Sequence, residues 1–202
     1  MDQAEIINEA KQVIQKEAEG VLTLLDQIDE NFVKAAQKIL DCKGHVLVSG
    51  SGTSHAVARR MAHLLSCCGT PALPLDAGDS QHGLAGAIMG NDILIALSKG
   101  GRTAEVISLA KVARERGAGV IAITENPGSE LVKLSDIVLK ITAPAGVDPY
   151  GMVATGSSLF NCAFGDALCV VLLKLRGYSV EQFGQTHPGG AVGKKLEDMK
   201  IL

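Results

Sequence analysis

His45-Val46-Leu47-Val48-Ser49-Gly50-Ser51-Gly52-Thr53-Ser54 decides the fold class of this chain. Its first five residues are mostly apolar, without the polar alternation of a half-exposed strand, and read as a short strand buried on both faces. The glycines and hydroxyl residues that follow turn tightly and open a helix over 54–68, which Gly69-Thr70-Pro71 stops. The same unit recurs twice. Residues 92–98 (DILIALS) pass through Lys99-Gly100-Gly101-Arg102 into a helix over 103–116. Residues 119–124 (GVIAIT) pass through Glu125-Asn126-Pro127-Gly128 into a short helix near 129–134. Residues 72–75 and 137–141 read as two more strands, and 143–151 as loop. A long apolar helix over 153–176 ends at Gly177, and Ser179-Val180-Glu181-Gln182 is a capping box for one more. Strands alternating with helices predict an α/β chain: one doubly wound domain whose five-stranded, mainly parallel sheet is covered by helices on both faces.

Ahead of the first strand, residues 3–18 and 21–41 repeat apolar positions at helical spacing. They predict a helical arm over 1–42 in front of one globular unit over 43–202. Such an arm packs on the sheet or on another subunit. Of the 202 residues 47% are hydrophobic and 20% charged, enough to bury a core and unlike a disordered chain. The net charge of -3, with no cluster of Lys and Arg, argues against nucleic acid as a partner. No apolar run approaches the roughly 20 residues that span a bilayer, so no membrane is expected. The polar N-terminus lacks the apolar stretch of a signal peptide. Five cysteines, an odd number with no CxxC pair, read as reduced buried thiols of a cytoplasmic protein.

Ligands of open parallel sheets bind outside the carboxyl ends of the strands, where helix N-termini offer free N–H groups to an anion. Two loops there combine glycine with hydroxyl residues. The first offers Ser51, Thr53 and Ser54, and the second Ser98, Lys99, Gly100, Arg102 and Thr103. Each hydroxyl is also an ordinary helix cap, but two such loops on one sheet edge favour a phosphate site. Lys99 falls inside its loop and reads as the stronger phosphate partner, with Arg102 a second cation at the loop's end. A dinucleotide fingerprint fails, because its third glycine position holds His55, and no nucleotide-hydrolase phosphate loop is present. No His, Cys or Asp set has metal-ligand spacing, so neither metal nor cofactor is expected.

Proton transfer near neutral pH suits histidine. His45 starts a strand and His63 lies within a helix, and both read as structural. His55 opens the first helix beside the phosphate loops and is open to either reading. His82, in a Gly-flanked loop, and His187, before Pro188-Gly189-Gly190, read as functional. Glu105 is a catalytic candidate that equally complements a helix dipole. Asp148 is a further acid, and Asp166, inside an apolar run, predicts a buried partner.

Taken together, Gly52-Thr53-Ser54-His55-Ala56, residues 98–103 with Glu105, and Thr186-His187-Pro188-Gly189-Gly190-Ala191-Val192-Gly193 resemble a sugar isomerase (SIS) domain, and among these the arabinose-5-phosphate isomerase family. The similarity runs from about Ala35 to Leu196. It implies a sugar phosphate as small-molecule partner, held at Ser54 and residues 98–103, and aldose–ketose isomerisation with His187 and His82 matching the family's histidines. It implies a homo-oligomer, a dimer or tetramer, whose sites include residues from a neighbour. It also implies a member without the C-terminal CBS modules common in that family. Thr53 stands at the family's usual lysine, Gly100 at a serine, Arg102 at a glutamate, and about Gly146 at a further glutamate. A non-catalytic sensor of phosphosugars, using the same loops, is the alternative reading.

Overall fold

A computed structural model describes residues 1–201. The strands are β1 (Val46–Ser49), β2 (Ala72–Pro74), β3 (Ile93–Leu97), β4 (Gly119–Thr124) and β5 (Ile137–Lys140). All are parallel, in the order β2-β1-β3-β4-β5. The sheet is therefore wholly parallel rather than mainly so. The helices are α1 (Gln3–Leu22), α2 (Glu30–Leu40), α3 (Thr53–Cys67), α4 (Ala104–Glu115), α5 (Glu130–Lys133), α6 (Gly156–Arg176), α7 (Val180–Thr186) and α8 (Gly190–Asp198).

Residue alternation along each strand builds two cores. Val46, Val48, Ile93, Ile95, Ile121 and Ile123 face α2, α3 and α6. Leu47, Leu94, Ala96, Val120 and Ala122 face α4 and α5. A strand covered on both faces has no use for polar residues, which is why β1 and β3 read as unbroken apolar runs. After β1 the chain moves outward to β2, then returns to the other side of β1 for β3. The order thus reverses between β1 and β3, and the loops after these two neighbouring strands open on one crevice.

The boundary between the first two helices differs from the sequence reading. Gly20 does not end α1. It packs under the ring of Phe160, which leaves no room for a side chain, and the helix runs on to Leu22 before a 3-10 turn at Thr23–Gln27. Phe32, Ala35, Ala36 and Ile39 of α2 belong to the core, whereas Gly20 is the one residue of α1 that is buried.

Three further expectations change. At 21 residues, α6 is long and apolar enough to cross a membrane by length and composition, although the sequence reading found no such run. Its Phe160, Phe164, Leu168 and Leu172 pack into the core, which accounts for its apolar character. The segment after His187 contains a helix, α8, that its Pro-Gly-Gly start concealed. Of the five cysteines, all free thiols, Cys169 alone is buried, and burial pushes its thiol up to about 12.

Candidate functional site

Gly50 and Gly52 shape the loop after β1. A Cβ on Gly50 would lie 2.8 Å from the backbone of Ser54, and Gly52 caps α3 at φ 57° and ψ -129°, a conformation other residues avoid. The turn brings the first N–H groups of α3, which have no intrahelical acceptor, to the sheet edge. Ser54 is half-buried there, while Thr53 is exposed. The loop after β3 is closed by its own hydrogen bonds. The Gly101 N–H donates to the Ser98 carbonyl at 3.0 Å, and the Ser98 and Thr103 hydroxyls meet at 2.9 Å. Ser54, Ser98 and Lys99 line a common niche with Glu125 and Asn161. Its free space is only about 10 Å³, roughly one water.

The two cations of the second loop differ in their surroundings. The Lys99 ammonium is 2.7 Å from an oxygen of Asp148 and 3.9 Å from Glu125. Asp148 is buried, and its other oxygen accepts the Ser157 N–H at 2.9 Å in the first turn of α6. Burial pushes the Asp148 carboxyl up, but Lys99 and Ser157 outweigh it and hold the group below the ordinary carboxylate value. Lys99 thus ties the second loop to the start of α6. Arg102 stands exposed at the loop's end, and no carboxylate among the described residues pairs with it. Sequence reasoning saw Asp148 but not its pairing, since 49 residues separate the partners.

A second cavity, of about 310 Å³, opens beside the first loop. Ser51 and Glu105 line it together with His55 and Asp76. The His55 Nδ1 lies 3.6 Å from Asp76 Oδ2, where sequence reading had left His55 open. His82 sits exposed in a short 3-10 turn at Asp79–His82 and lines neither space.

His187 is placed elsewhere. It caps the C-terminus of α7, with its ring stacked on Phe183 at 3.8 Å. Its Nδ1 is 3.0 Å from the Phe183 carbonyl, which only accepts, so Nδ1 carries the proton and Nε2 keeps its lone pair. Nε2 meets the Cys67 thiol at 3.5 Å. Burial raises the Cys67 thiol, which keeps it a donor. Ser54 and Cys67 occupy opposite ends of α3, about 20 Å apart at helical rise. Within one chain, His187 is remote from Ser54 and the loop after β1. Asp166 finds a partner in Arg60 of α3, two hydrogen bonds linking the pair, but both side chains are nearly half exposed rather than buried.

Two hydroxyl-rich loops at the reversal of a 2-1-3-4-5 parallel sheet now stand beside a family match. The SIS domain family covers residues 38–171, more than half of the sequence. The chain belongs to the SIS domain family. This SIS domain is 39% identical over 186 residues to arabinose 5-phosphate isomerase KdsD of Yersinia pestis, covering 92% of the chain. The chain spans 57% of the length of that relative. Among solved structures, a candidate sugar-phosphate isomerase of Listeria monocytogenes is 36% identical, with a TM-score of 0.91 over 94% of this chain and 100% of that one. The c3406 protein of Escherichia coli CFT073, solved in complex with arabinose 5-phosphate, is 26% identical at a TM-score of 0.89, over 93% and 100% of the two chains.

Proposed function

We propose that this SIS domain is an aldose–ketose isomerase acting on a sugar phosphate of the arabinose 5-phosphate class. The observation that carries the reading is the 39% identity to an arabinose 5-phosphate isomerase across nearly the whole chain, with both hydroxyl loops at the sheet's switch point. In this reading the phosphate lies on the N–H groups opening α3 and on the hydroxyls of Ser51, Thr53, Ser54, Ser98 and Thr103, with the Gly100 backbone beside them. Arg102 is the cation that faces it, whereas Lys99 acts mainly by fixing the loop through Asp148.

Isomerisation moves one proton between C1 and C2 and another between O1 and O2. Glu105, which lines the cavity beside the first loop, is the carboxylate of the same chain in this reading. His187 and His82 join it as proton-transfer residues; because His187 is far from its own loop after β1, it would serve the crevice of a neighbouring copy in this reading. A homo-oligomer, dimer or tetramer, is therefore part of the proposal. The uncovered apolar residues of α1, among them Ile6, Val13 and Ile14, support it.

Purified protein incubated with D-arabinose 5-phosphate tests the reading by the appearance of the ketose. Turnover that disappears in His187→Ala is the expected result. Ser54→Ala should weaken sugar-phosphate binding by roughly ten-fold, the worth of one hydrogen bond to a charged group, while leaving binding of free arabinose unchanged. Arg102→Glu should weaken it further, because it puts a negative charge beside the phosphate. Tight binding with no turnover would instead establish the sensor reading.

A further inference from the structure

Among the described residues, the cavity beside the first loop contains the only imidazole and carboxylate pair at this edge of the sheet, and the phosphate loops give it no work. His55 sits in the first turn of α3, directly after Ser54, and Asp76 follows β2, the strand next to β1. The His55 Nδ1 is buried and has no hydrogen-bond partner among the described residues, yet faces Asp76 Oδ2 at 3.6 Å. The Asp79 N–H donates to the other oxygen of Asp76 at 2.8 Å. That bond, first, and then the imidazole of His55 beside it, hold the Asp76 carboxyl below its ordinary value, so it is ionised at neutral pH.

An ionised acid beside Nδ1 selects the tautomer with the proton on that nitrogen and leaves Nε2 as the base. Gly50, Gly52 and Gly78 contribute no side chains to the wall, so a ligand can approach the backbone. The lining carries two carboxylates, Asp76 and Glu105, and, among the described residues, no Lys or Arg. These carboxylates suit the hydroxyl-bearing end of a sugar, with its phosphate at the Ser51 side of the cavity. Its volume lies at the lower end for small-molecule sites.

We infer that His55, positioned by Asp76, is the residue that moves the carbon-bound proton of the sugar, acting within the same chain that holds the phosphate. The inference rests on the isomerase reading and adds a residue to it. His55 Nε2 removes the proton from C2 of the open-chain aldose. The C2–H electron pair becomes the C1=C2 bond while the C1=O1 π pair moves onto O1, and Glu105 relays the O2 proton to O1, leaving an enediolate with its charge on O2. The imidazolium then returns its proton to C1, the O2 electron pair forms the C2 carbonyl, and the ketose results. No oxidant or second reactant is consumed. His187 and His82 are left to the opening of the cyclic sugar.

The test uses D-arabinose 5-phosphate in D₂O, read by NMR, with binding followed by calorimetry. His55→Asn should lower both turnover and deuterium incorporation by about 100-fold or more, with affinity changed less than about three-fold. Asp76→Asn should lose turnover in part and Asp76→Glu should restore it, since only the carboxylate fixes the tautomer. In the wild type, modification of His55 by diethyl pyrocarbonate, located by mass spectrometry, should be slowed by arabinose 5-phosphate and not by inorganic phosphate. That measurement stands even if the variants fold poorly. Wild-type turnover in His55→Asn, or no protection of His55 by a sugar phosphate that binds, would overturn the role of His55 and leave the isomerase reading intact. Binding without turnover or exchange in the wild type would overturn both.

Discussion

At the scale of single residues, the contact between Lys99 and Asp148 ties a loop to a helix. Asp148 joins the loop after β3 to the first turn of α6 through Lys99 and the Ser157 N–H. Replacing it by Asn weakens both links, and a destabilisation of about 2 kcal/mol is expected, the loss of hydrogen bonds to a charged group. The carboxyl is depressed in the folded protein relative to its usual 3.8. Its contribution is therefore complete above that value and is lost as the pH falls through the lower, folded one. Thermal unfolding of the wild type and of Asp148→Asn should differ at pH 7, and the difference should shrink only as the pH falls below 3.8 towards the lower, folded value. A difference that persists unchanged to pH 2 would remove the ionised form from the account. Arg102, at the end of the same loop, has no carboxylate partner among the described residues.

At the scale of elements, the turn from β1 into α3 is set by backbone conformation. Gly52 adopts φ 57° and ψ -129° with open space around its Cα, so a side chain there would be strained without being crowded. Gly52→Ala should cost about 1–3 kcal/mol, from placing a Cβ in a region favourable to glycine alone. It should also weaken sugar-phosphate binding, because relief of the strain rotates the N–H groups that open α3. Unfolding midpoints together with calorimetric titration check this. Loss of stability with unaltered binding would detach the turn from the site. The other end of α3 carries a different device. The capping box of Ser179 and Gln182 starts α7, and α7 ends on His187, whose tautomer the Phe183 carbonyl fixes.

At the scale of the molecule, a single chain leaves much apolar surface uncovered. Ile6, Ile7, Val13 and Ile14 of α1 are 42–67% exposed, and Val180, Val192 and Met199 border a groove between α7 and α8. Such patches lower the solubility of a monomer, so α1 is expected to pack on a second copy. Deleting residues 1–18, which spares the contact of Gly20 with Phe160, should reduce the assembly measured by light scattering while circular dichroism of the sheet domain is retained. A full-length protein that is monomeric at micromolar concentration would contradict this. The same deletion should lower turnover if His187 serves a neighbour's crevice.

The fold class was legible in the sequence because a parallel strand buried on both faces must be apolar throughout. Runs such as 93–97 (ILIAL) therefore announce themselves without any knowledge of their neighbours. The two hydroxyl-rich loops were legible for a related reason, since a tight strand-to-helix turn draws glycine and hydroxyl residues into consecutive positions. Pairings across the sheet were not legible. That Lys99 is held by Asp148, that His55 faces Asp76, and that His187 rests on Cys67 at the far end of α3 follow from which strands adjoin and which helix ends meet. Local sequence specifies the backbone of each unit through short-range sterics and hydrogen bonds. The electrostatic partner of a side chain is chosen by long-range packing, and only the tertiary structure decides it.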